Sequence, residues 1–133
     1  MSKLIDELKR EHAVIVDGLA QLMNTVISSK EGQQLLLNVK QSLLAHLRKE
    51  DGQLYPVLNK AAEKDSALKQ TLDHFARDMA EISEAAIAFF DKYSRVGADI
   101  GFPADFGKLY AALKIRIHRE VDVLYAKYEK LNP

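Results

Sequence analysis

Four long stretches of this chain contain no turn-forming cluster, which leaves helices as the regular structure open to most of it. Gly and Pro are sparse, six and three in all. Breaks fall at Ser28-Ser29-Lys30-Glu31-Gly32, more softly at Lys64-Asp65-Ser66, and longest at Val96 to Pro103. Between them apolar residues return at helical steps: Leu4, Leu8, Ile15, Leu19, Leu22 and Val26 first, then Leu36, Val39, Leu43, Val57 and Ala61. Leu68, Phe75, Met79, Ile82, Ala86 and Phe89 follow, then Phe106, Tyr110, Leu113, Ile117, Val121, Leu124 and Tyr128. This period predicts helices over 3–28, 32–62, 66–95 and 104–131. Ser2, Asp65 or Ser66, and Pro103 suit helix starts. Pro56 falls inside the second helix, where it removes a backbone hydrogen bond and should kink or loosen it. No segment alternates as a strand does. The expected fold is all-α: an up-down-up-down antiparallel four-helix bundle.

The chain is 133 residues long, 47% apolar and 29% charged. That is an ordinary globular balance, so a single domain over 1–133 is expected. Nineteen basic and nineteen acidic residues cancel. Nucleic-acid binders carry a basic surplus and membrane-surface proteins a polybasic patch, and neither is present. Cysteine is absent, which removes disulfides, thiolate ligands and thiol nucleophiles. The first residues alternate charges and show no apolar leader, and no run is long enough to span a membrane. A soluble, cytoplasmic protein is the expectation.

The four histidines, His12, His46, His74 and His118, fall one to each predicted helix. Three have a carboxylate four residues on: Glu50, Asp78 and Asp122. Positions i and i+4 share a helix face, so each pair can aim two ligands at one point. His12 continues the Leu8–Ile15 seam, and His46 and Glu50 lie between Leu43 and Val57. His74 adjoins Phe75, Asp78 adjoins Met79, and His118 and Asp122 flank Ile117 and Val121.

Ionisable groups projecting into an apolar bundle are costly unless compensated. Cations compensate them, and imidazole with carboxylate suits Fe, Mn or Zn. Seven side chains exceed the four ligands of one zinc ion and match two six-coordinate ions sharing bridging carboxylates.

The order His12, His46-x3-Glu50, His74, His118-x3-Asp122 over four helices resembles the hemerythrin / HHE cation-binding domain family. The stretch HLRKEDGQLYPVL at 46–58 is especially similar to its second helix. The resemblance implies two iron ions with an oxo or hydroxo bridge, zinc or manganese being substitutes. Glu50 and Asp122 would bridge. His12 and His46 would hold the iron left open to dioxygen, nitric oxide or peroxide, and His74 and His118 the other. The family has a second histidine one turn after that of the third helix, where this chain has Asp78. As a ligand, Asp78 would favour the ferric state; beside the ligands, it would leave a position open. Oxygen, redox or iron sensing, storage or detoxification then fits better than reversible carriage.

Other readings stay open. Tyr55 and Tyr125 either pack or line the site. The bundle could be an interaction module with a structural or absent metal, acting on a protein partner or as an oligomer. A ferritin-like di-iron enzyme is disfavoured, because Lys9, Leu43, Thr71 and Ile115 stand three residues before the histidines where that class has Glu.

Overall fold

Helix α1 (Lys3–Met23) buries Leu4, Leu8, His12, Ile15, Leu19 and Leu22 along one stripe, the spacing that drives a helix onto a core. The computed structural model describes residues 2–96 and 101–131. Within them follow α2 (Lys30–Lys49), a π-helical segment π1 (Glu50–Leu54), α3 (Tyr55–Ala62), α4 (Ser66–Val96), α5 (Phe102–Arg119), a second π-helical segment π2 (Glu120–Tyr125) and α6 (Ala126–Leu131). Helices α2 and α3 continue through π1, and α5 and α6 through π2. The result is an antiparallel up-down bundle of four rods, with no strand among the described residues. Among the described residues, no helix is long and apolar enough to cross a membrane.

The helix boundaries follow local chemistry. α1 stops five residues short of the expected end. Thr25 Oγ1 donates to the Gln21 carbonyl at 2.6 Å, and Ser29 then starts α2 by accepting from the Gly32 amide at 2.9 Å. Gly32 is required there, since a Cβ would collide with the Val26 carbonyl. Asp65 caps α4 through the Leu68 amide at 3.1 Å. Pro103 sits in the first turn of α5, as expected. The middle of the last expected break, residues 97–100, lies outside the described residues.

The disturbance expected from Pro56 takes the form of π1. The Tyr55 amide bonds back to the Glu50 carbonyl, five residues away, so the widened turn delivers the chain to a proline that has no donor of its own. π2 has no proline. Each π segment begins at a buried glutamate, Glu50 or Glu120.

Buried apolar side chains form two clusters. One gathers Ile15, Leu19, Leu43, Phe89, Tyr93 and Leu113 with their neighbours. The other gathers Leu8, Leu54, Leu58, Phe75, Leu124 and Tyr125 with theirs. Each fully buried leucine contributes about 1.5–3 kcal/mol. The rods pass from one cluster to the other at His12, at His46 with Glu50, and at Arg116 with Glu120. These five are the buried polar and charged residues among those described, none more than 5% exposed.

Candidate metal centre

The polar layer gathers four metal-capable side chains: His12 from α1, His46 from α2, and Glu50 and Glu120 from the first residues of π1 and π2. One donor atom from each lies within 4.8 Å of every other. The two imidazole rings stand 4.5 Å apart, centre to centre. His12 Nε2 is 3.3 Å from Glu120 Oε1, and His46 Nε2 is 3.4 Å from Glu50 Oε2.

A surrounding set of contacts fixes these groups. His46 Nδ1 meets Glu11 Oε1 at 2.8 Å, and Lys49 holds the other oxygen of Glu11 at 2.8 Å. The Nδ1 contact with Glu11 leaves His46 Nε2 facing Glu50 and the centre, the usual way a carboxylate orients a metal-binding histidine. The Tyr125 hydroxyl donates to Glu50 Oε2 at 2.7 Å, and its oxygen lies 3.0 Å from His12 Nε2. Arg116 Nε stands 3.6 Å from Glu120 Oε2.

The electrostatics are those of a site short of positive charge. Burial pushes the Glu120 carboxyl well above the usual carboxylate range, and the charge on Glu50 pushes it further against Arg116. Burial also opposes ionisation of Glu50, but His46 and hydrogen bonds with Glu120 and Tyr125 outweigh it and hold Glu50 below its ordinary value. The two neighbouring carboxylates are thus pushed in opposite directions, Glu120 up and Glu50 down. Burial, aided by the His46 charge, brings His12 down to about 4. His46 shifts up: burial opposes this, and Glu50 and Glu11 prevail.

Several buried atoms find no hydrogen-bond partner: His12 Nδ1, His46 Nε2, Glu50 Oε1, Glu120 Oε2 and Arg116 Nε. Each such orphan costs about 1–3 kcal/mol. A cation among two imidazoles and two carboxylates would engage the inward-facing donors and relieve orphans such as His46 Nε2, so the donor set fits a borderline or hard divalent metal.

Three of the seven residues expected at the site, His12, His46 and Glu50, come together there. The other four stand elsewhere. His74, His118 and Asp122 are exposed, and Asp78 is half-buried and paired with Arg116 at 3.4 Å. The reason is helix phase. The inward stripe of α4 runs through Leu68, Leu72, Phe75 and Ala86, and His74 is one residue, about 100°, off it. The stripe of α5 runs through Phe106, Leu109, Leu113 and Arg116 and continues to Glu120, so His118 and Asp122 point away. Glu120 takes the place expected of Asp122. The signal for it was present: steps of three and four from Phe106 reach Arg116 and Glu120 directly.

A cavity of about 20 Å³ adjoins the centre, walled by His12, His46, Met79, Ser83, Arg116 and Glu120 among others. An outer cavity of about 250 Å³ reaches Glu50 and shares Leu47, Met79 and Ser83 with it. A surface cavity of about 660 Å³ between α4 and α5 shares Ile82 and Arg116 with the inner cavity.

Residues 3–128 match the family described as Hemerythrin HHE cation binding domain. No curated protein and no solved structure matches the chain.

Proposed function

Because the chain belongs to the hemerythrin HHE cation-binding family, we propose that its polar layer holds non-haem iron through His12, His46, Glu50 and Glu120. The iron would be presented to a small oxidant such as dioxygen, nitric oxide or peroxide, in oxygen, redox or iron sensing, storage or detoxification. The observation that carries this reading is the convergence of two buried histidines and two buried glutamates, with several of their polar atoms unsatisfied, between two apolar clusters. Zinc or manganese suits the same donors.

Bound iron would supply electrons and an open coordination position. The chain's own residues do the rest. Glu11 aims His46, and Tyr125 ties Glu50 and His12 into one hydrogen-bonded unit. Arg116 holds a fixed positive charge beside Glu120. The flanking apolar clusters keep bulk water out. Leu47, Met79 and Ser83 form the partition between the outer and inner cavities, so a diatomic ligand entering from that side passes Met79, whose unbranched side chain moves readily.

A second reading, a helical interaction module with a structural metal, draws on the small inner cavity, which leaves little room for a ligand beside an ion. Nitric oxide separates the two. The protein is loaded anaerobically with ferrous iron and its absorption spectrum is recorded before and after nitric oxide. The oxidant-binding reading expects retained iron and a new visible band. Iron retained with an unchanged spectrum favours the structural role.

A further inference from the structure

We propose that the centre takes one divalent metal ion per chain, with the Arg116 guanidinium standing where a second cation would otherwise balance the two glutamates. The proposal rests on the metal-binding reading above and fixes its stoichiometry.

A pair of ions sharing Glu50 and Glu120 needs further donors on both sides of the carboxylates. On the α1–α2 side the structure supplies His12 and His46. On the α4–α5 side the cavity wall offers Met79, Ser83 and Arg116. These are a thioether, a hydroxyl already engaged with Met79 Sδ at 3.4 Å, and a permanent cation with no lone pair to give. His74 and His118, the imidazoles that could complete a second site, are exposed side chains outside the layer.

Arg116 is fixed in place. It is 2% exposed. Its Nη1 donates to the Phe75 carbonyl at 2.8 Å and lies 3.4 Å from Asp78 Oδ2, and its Nη2 donates to the Tyr55 hydroxyl at 2.9 Å. Its guanidinium carbon stands 4.6 Å from the centre of the Phe75 ring. Contacts on several sides keep the charge beside Glu120 instead of letting it swing to solvent.

The charges then close with one ion. A divalent cation and Arg116 together carry three positive charges against the three negative charges of Glu50, Glu120 and Asp78. A second divalent ion would add two uncompensated positive charges beside a guanidinium in a buried layer, which is strongly unfavourable. The inner cavity agrees in size: about 20 Å³ accommodates one or two water-sized bodies.

The test is an anaerobic titration of the whole metal-free chain with Mn²⁺, read by native mass spectrometry and by electron paramagnetic resonance. The expected result is one manganese per chain at saturation, with the six-line spectrum of a magnetically isolated ion. Two per chain with an exchange-coupled multiline spectrum would overturn the single-ion assignment and leave the metal-binding reading standing. A chain that retains neither Mn²⁺ nor, in parallel titrations, Fe²⁺ or Co²⁺ would overturn both.

Discussion

Tyr125 couples Glu50 to His12 across the bundle: its hydroxyl donates to Glu50 Oε2 at 2.7 Å while its oxygen stands 3.0 Å from His12 Nε2. These residues come from the last, second and first rods, so one phenol joins three separate parts of the sequence. The Tyr125 hydroxyl also keeps its proton firmly, because burial and the charges of Glu120 and Glu50 all oppose ionisation. Tyr125→Phe should therefore destabilise the metal-free protein by about 1.5–3 kcal/mol, the value of a hydrogen bond to a charged group. It should leave the amount of metal bound unchanged. Urea denaturation and metal analysis check both, and loss of metal binding would make Tyr125 a ligand.

Glu11 supports the site from outside. Its 2.8 Å contact with His46 Nδ1 fixes which nitrogen faces the centre. Glu11→Gln keeps the shape but loses the charge, and should weaken metal affinity by about 10–100-fold. Competition with a chelator of known affinity measures this. An affinity equal to that of the parent protein would show that His46 needs no such orientation.

The four rods, and the inward position of three polar residues on the first two of them, were legible in the sequence because periodicity and seam position agreed there. His12 sits in step with Leu8 and Ile15, and His46 and Glu50 in step with Leu43. On the other two rods histidine identity misled. His74 and His118 lie next to seam residues in sequence, but adjacency on a helix means a turn of about 100°, enough to face solvent. Arg116 and Glu120 carry no motif that marks them, although their spacing from Leu109 and Leu113 places them inside. The π segments were less visible still. Pro56 signalled a disturbance at the first, and no residue marks the second.

Arg116 is a buried cation whose removal strands Asp78 and Glu120. Arg116→Ala should cost about 3–5 kcal/mol in folding stability, the range for breaking a buried pair from one side. Asp122→Ala, at an exposed position, should change stability by less than about 0.5 kcal/mol. Chemical denaturation of the two variants gives the comparison. Equal effects would mean that Arg116 is not held as described.

His12 makes the metal-free protein sensitive to acid. Its folded value is about 4 against an ordinary 6.5, so between those values the unfolded chain binds a proton that the folded chain refuses. Stability from this source falls as pH drops through that window, by on the order of 3 kcal/mol over the whole of it. His46 acts in the opposite sense: its value is raised, so its contribution is present below its unfolded value and fades as pH rises through its folded one. Denaturation midpoints in the presence of chelator, at several pH values from 4 to 7, should show a shallower acid decline for His12→Gln than for the parent. Matching slopes would contradict the burial of a neutral imidazole at position 12.

The most direct test of the metal centre is the anomalous difference map of a crystal soaked in Zn²⁺ or Fe²⁺. One strong peak is expected between His12, His46, Glu50 and Glu120, within bonding distance of both imidazoles. A map whose peaks lie only at surface groups such as His74, His118 or Asp122, with none in the polar layer, would contradict the account.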